Sequence, residues 1–61
     1  MREQDYFYHL MVMIDAYANT VANHRIAVEL NKPSLEILKL KQLAIEAKIK
    51  IEKFVIHEAL S

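Results

Sequence analysis

The chain has 61 residues, with eight Lys and Arg balanced by eight Asp and Glu, and it contains neither Cys nor Gly. That length allows one small domain, which alone buries only about 60% of its unfolded surface. The missing cysteines exclude a disulfide staple and a thiolate zinc site, the missing glycines exclude a phosphate-cradling loop, and the balanced charge excludes a global attraction to nucleic acid or anionic membrane.

The opening Met1-Arg2-Glu3-Gln4-Asp5 has the wrong polarity for a signal peptide. The longest strongly apolar run, Leu10-Met11-Val12-Met13-Ile14, is far too short to span a bilayer. A cytoplasmic protein without a membrane segment is expected. The first predicted helix covers about residues 3–30. On it Phe7, Met11, Ile14, Ala18, Val21, Arg25 and Val28 recur with the alternating 3-4 spacing of a packed helical stripe.

Punctuation comes next. Asn31 tolerates the left-handed conformation that ends helices, and Pro33, the only proline, cannot continue the first helix but fits the start of another. Residues 31–33 therefore form the turn, and any of residues 31–34, Ser34 included, is eligible to cap the second helix. That helix is predicted to cover about residues 34–59. Its stripe is Ile37, Leu40, Ala44, Ala47, Ile51, Phe54 and Glu58. Folded back on the first, this stripe gives seven levels at which the facing residue numbers total 65. Small pairs, Ala18 with Ala47 and Val21 with Ala44, are expected near the middle. Arg25 faces Leu40 and lays its aliphatic stem on apolar surface. The predicted fold class is all-α, a single antiparallel two-helix hairpin.

The second helix carries another apolar stripe, Leu35, Leu38, Gln42, Ile45, Ile49 and Ile56 with Glu52 at its edge, pointing away from the first. Lys39, Glu46, Lys50 and Lys53 separate the stripes on one side, and Lys41, Lys48 and Glu52 on the other. Leu10, Met13 and Tyr17 widen the apolar face of the first helix, and Val12, Ile26 and Leu30 add to it. A helix that is apolar on two opposite faces does not belong to a monomer's surface, and 54% hydrophobic residues are more than a lone hairpin hides. The expectation is a homo-oligomeric helical bundle, with Leu10, Met13, Leu35, Leu38, Gln42, Ile45, Ile49 and Ile56 at the subunit interface. Gln42 would set the register. Two hairpins making a four-helix bundle is the simplest closure, and larger rings are also compatible.

No catalytic constellation is visible. Thr20 has no base paired with it, and His57-Glu58 begins a zincin motif without its second histidine. A non-catalytic protein without cofactor is expected. His9, His57 and Glu58 converge at the open end, where they could hold a zinc ion or stand as solvated helix-end residues. Tyr6, Phe7, Tyr8 and Tyr17 concentrate aromatic rings in the first third, suited to interface anchoring or ligand stacking. Near the turn, Asn23, His24, Arg25, Asn31, Lys32 and Ser34 gather polar and cationic groups beside a helix N-terminus, an anion site or an ordinary solvated end. The candidate ligand-binding residues are Tyr6, Tyr8, Tyr17, His24, Arg25 and Lys32. They lie too far apart along one helix to share a small ligand, so their site requires protomers packed antiparallel.

Pro33-Ser34-Leu35-Glu36 at a hairpin turn, followed by a long Ala- and Leu-containing helix, resembles the hairpin domain of phage anti-CBASS and anti-Thoeris sponges. That resemblance implies an oligomer that sequesters a cyclic nucleotide immune signal. The chain lacks the Trp-Ala-Asn run of that family's second helix and its longer N-terminal segment, so no ligand position is carried over. In architecture alone the chain is similar to the plasmid RNA-modulating hairpins, which form four-helix bundles. Its Lys residues, however, share their faces with Glu46 and Glu52 rather than forming the cationic face that RNA needs. A regulator that docks on a host protein and an RNA-binding four-helix bundle are the other readings.

Overall fold

The computed structural model describes residues 3–61. Met1 and Arg2 of the polar opening segment lie outside the described residues. Helix α1 spans Glu3–Glu29 and helix α2 spans Ser34–Leu60, each of 27 residues, and the two pack against each other as a hairpin. Neither is long and apolar enough to cross a membrane.

The turn is explained by its residues. Asn31 adopts φ 55°, the left-handed region. Its N–H donates to the Val28 carbonyl at 3.1 Å, and the Lys32 N–H donates to the Ala27 carbonyl at 3.0 Å. This pair of bonds is the Schellman arrangement, which satisfies carbonyls that a helix end leaves open. Pro33 then occupies the N-cap of α2 in extended conformation, and its carbonyl accepts the Ile37 N–H at 3.1 Å. Ser34 is already the first helical residue, so the cap is a proline without a side-chain hydrogen bond. At the far end Ser61 closes α2, its N–H donating to the His57 carbonyl and its hydroxyl to that of Glu58.

On α2 the covered stripe is the expected one: Ile37, Leu40, Ala44, Ala47, Ile51, Phe54 and Glu58 are half-buried. On α1 it is not. The covered residues are Tyr6, Leu10, Met13, Tyr17, Thr20, His24 and Ala27, each one position before its predicted counterpart. α1 is therefore rotated by about 100° from the expected orientation. Taken in antiparallel order, the covered residues of the two helices pair to a total of 64 instead of 65. Phe7 and Met11, placed in the seam by sequence, are 53% and 63% exposed, and Ile14, Ala18, Val21, Arg25 and Val28 are exposed with them.

The two rows are neighbours on α1 and both keep the 3-4 spacing, so periodicity alone does not choose between them. The polar members do. The observed phase sets His24, not Arg25, level with Leu40 and frees the guanidinium, which meets Glu29 across 3.4 Å in solvent. Thr20 enters the seam with its hydroxyl already donating to the Tyr17 carbonyl at 2.7 Å. Ala27 comes level with Ile37 beside the turn, and its small side chain lets the backbones close there. Among the described residues it alone is buried, at 4% exposure.

One buried residue makes a thin core. The Cα trace measures 44 × 17 × 9 Å, with a radius of gyration of 14.2 Å. A compact domain of this length has a radius of gyration of about 10.5 Å.

Candidate functional site

The six predicted ligand residues divide into three groups. Tyr6, Tyr17 and His24 sit half-buried in the seam. Tyr8 is 68% exposed. Arg25 is exposed and paired with Glu29, and Lys32 is exposed in the turn. Within one chain they do not form a common site, since the tyrosines of the first two turns and the turn cations stand at opposite ends of α1.

What the fold does bring together is Tyr17 and His24 with two lysines of the charged strip that separates the two stripes of α2. An open groove of about 230 Å³ runs between the helices, lined by Tyr17, Val21, His24, Lys41, Ala44, Ile45 and Lys48. Tyr17 and His24 are seven residues apart on α1, and Lys41 and Lys48 are seven apart on α2. The antiparallel alignment sets each ring beside an ammonium group's helix position. That heptad match between the two helices was the signal available in the sequence. The groove carries three basic side chains, a phenol and no carboxylate, so its chemistry suits a small anion with a flat portion.

The other grooves differ. Across the hairpin, Met13, Ala16, Thr20, Leu43, Glu46, Ala47 and Lys50 line about 250 Å³ with one charge of each sign. At the open end Glu3, Tyr6, Phe7, Val55, Glu58 and Ala59 line about 480 Å³ with two carboxylates. On the outer face of α1 a recess of about 470 Å³ lies over Ala18 and Ala22, walled by Ile14, Tyr17, Val21 and Arg25.

The open end packs aromatic rings. Tyr6 stacks on Phe54 at 5.3 Å and meets Phe7 edge-on at 5.6 Å. His9 lies 6.2 Å from the Phe54 ring, and its Nδ1–H donates to the Asp5 carbonyl at 2.9 Å. Among the described residues no group of three or more His, Asp or Glu is placed to hold a metal ion.

The predicted interface residues also divide. Leu10 and Met13 are half-buried along the hairpin seam. Leu35, Leu38, Ile45, Ile49 and Ile56 are exposed, Leu35 by 65%, and Gln42 is exposed among them. The apolar face of α1 left outside is instead the row of Phe7, Met11, Ile14, Ala18, Val21 and Val28.

No protein-family model matches the chain, and no curated protein or solved structure matches it either.

Proposed function

We propose that this protein is a non-catalytic, homo-oligomeric helical binding protein. The observation that carries the reading is the mismatch between apolar content and burial. The chain exposes 5188 Å² of surface, against about 4,100 Å² for a compact monomer of its mass. The excess of about 1,100 Å² exceeds the roughly 800 Å² that one partner contributes to a standard interface. Large apolar side chains supply much of it, and contiguous exposed apolar surface on a soluble chain marks a contact site.

Within that reading, the groove of Tyr17, His24, Lys41 and Lys48 favours a small anionic ligand of the cyclic nucleotide class. Ammonium groups would pair with phosphate and the phenol ring would stack on a base. Sequestration of a nucleotide signal is then the activity of the assembled protein. A regulator that docks on a host protein uses the same apolar surface and leaves the groove without a role.

Native mass spectrometry of freshly purified protein tests both parts, since it reports the assembly mass and any retained nucleotide together. An oligomer is the expected result, and a monomer at micromolar concentration overturns the proposal. Calorimetry against cyclic di- and trinucleotides and cyclic ADP-ribose isomers tests the ligand class, with Lys41→Ala and Lys48→Ala weakening binding. Failure of every nucleotide, together with capture of one host protein, replaces sequestration by regulation.

A further inference from the structure

Two apolar surfaces remain open, on different helices and of different shape. The row on α1 contains the recess over Ala18 and Ala22, about 470 Å³ in volume. The outer stripe of α2 is a ridge of Leu35, Leu38, Ile45, Ile49 and Ile56, all exposed. Pairing either surface with its own copy covers one and leaves the other in water. At full overlap of two ridges, Glu46 and Lys48 would each also meet their own copies, like charge against like. A single kind of contact that covers both surfaces is head-to-tail.

We infer that the ridge of α2 from a second copy of this chain occupies the recessed row of α1, so that protomers assemble head-to-tail with all their turns at one end. This inference rests on the homo-oligomeric reading above and supplies its partner surface.

The register supports this pairing. α1 and α2 are equal in length, with midpoints at Ala16 and Ala47. Complete antiparallel overlap of α1 with a neighbour's α2 sets Phe7 level with Ile56, Ile14 with Ile49, Ala18 with Ile45 and Val28 with Leu35, with Met11 at Glu52 and Val21 at Gln42 the two mixed levels. The small residue of the recess thus receives a branched residue of the ridge, as in knobs-into-holes packing. Arg25 lies level with Leu38, its stem on the apolar side chain and its charge outside.

The edges of the contact agree. Asp15, Ala22 and Glu29 border the row of α1 on the side away from its own partner helix, and all three are exposed. Lys53, Glu46 and Lys39 border the ridge along the edge that comes beside them, also exposed. The antiparallel order places Asp15 between Lys53 and Glu46, Ala22 between Glu46 and Lys39, and Glu29 between Lys39 and Lys32 of the turn. Each acid on α1 thus has a lysine of the neighbour within reach.

Closure sets the size. On α1 the row lies about 100° from the seam, and on α2 the ridge lies about 160° from the seam around the same face. Their sum of about 260° falls between the roughly 240° that closes a ring of three and the roughly 270° that closes one of four, and far from the roughly 180° of a dimer; a head-to-tail contact that closes makes a ring.

The chain has no cysteine, so introduced thiols report without background. Ile14→Cys and Ile49→Cys proteins, refolded together and treated with a short bismaleimide, should give a covalent dimer that neither yields alone. Cross-linking of Ile49→Cys with itself overturns the inference in favour of a symmetric ridge pair. An oligomer in which the mixture gives no cross-link overturns it too. A monomer by ultracentrifugation instead fails the homo-oligomeric reading itself. Charge reversal checks the same edge without touching apolar packing. Asp15→Lys should weaken assembly several-fold and the double variant with Lys53→Asp should recover it, whereas no recovery, in a variant whose helix signal is intact, counts against the register.

Discussion

Tyr6 and Phe54 stack 5.3 Å apart with their rings inclined by 18°, closer than the 6.2 Å at which His9 meets the same Phe54 ring from α1. This stack pins the open end of the hairpin, and it holds α1 in the rotational phase that buries Tyr6 rather than Phe7. Phe54→Ala removes this contact and the packing of His9 beside it. The expected loss is about 2 kcal/mol, below the range for fully buried aromatics because Phe54 is only half-buried. Urea unfolding followed by circular dichroism measures it as a lowered midpoint with an unchanged slope.

The rotation of α1 is tested by adjacent substitutions near the turn. Ala27→Leu forces a larger side chain into the one buried position and should cost about 1–3 kcal/mol. Val28→Leu, one residue later, adds its bulk outside the seam and, measured at a concentration below that of association, should change hairpin stability by less than about 0.5 kcal/mol. Equal effects in thermal melts would contradict the observed seam.

The turn predicts an ordering of variants at Asn31. Asn31→Gly should leave the melting temperature unchanged or raise it, because glycine adopts the left-handed conformation without penalty. Asn31→Val should cost on the order of 1–2 kcal/mol, since a β-branched residue is strained there.

Arg25 and Glu29 form an exposed pair, with the arginine side chain 81% accessible. Glu29→Gln should therefore alter the stability of the hairpin by less than about 0.5 kcal/mol, and added salt should make the variant and the parent indistinguishable. Thermal melts at low and high ionic strength supply the comparison.

Helix α2 was legible because its charges delimit its faces. Lys39, Glu46, Lys50 and Lys53 on one flank and Lys41, Lys48 and Glu52 on the other leave only one stripe able to meet α1 and one able to face away. α1 offers no such fence. Phe7 beside Tyr6, Met11 beside Leu10 and Ile14 beside Met13 make adjacent rows of similar apolarity, and counting favours the row that contains Phe and Ile. The fold takes the other row because the seam must also accommodate its polar members, and Thr20 and His24 fit where Arg25 does not. The groove residues were half legible for the same reason. Tyr17 and His24 stood out by type, whereas Lys41 and Lys48 looked like ordinary surface charge until the helices were laid side by side.

The proline-headed turn has a consequence for how copies can exchange. Joined end to end, α1 and α2 would form one rod of about 85 Å, whose second half could pack in another molecule's hairpin. Such a rod would place Pro33 in a helix interior, losing a hydrogen bond and clashing with the carbonyl four residues earlier, at a cost of about 3 kcal/mol or more. It would also break both backbone bonds that close the end of α1. Exchange of whole helices between molecules is thereby disfavoured, and each chain keeps its own second helix. In the proposed assembly, copies would then meet as closed hairpins rather than as entangled pairs.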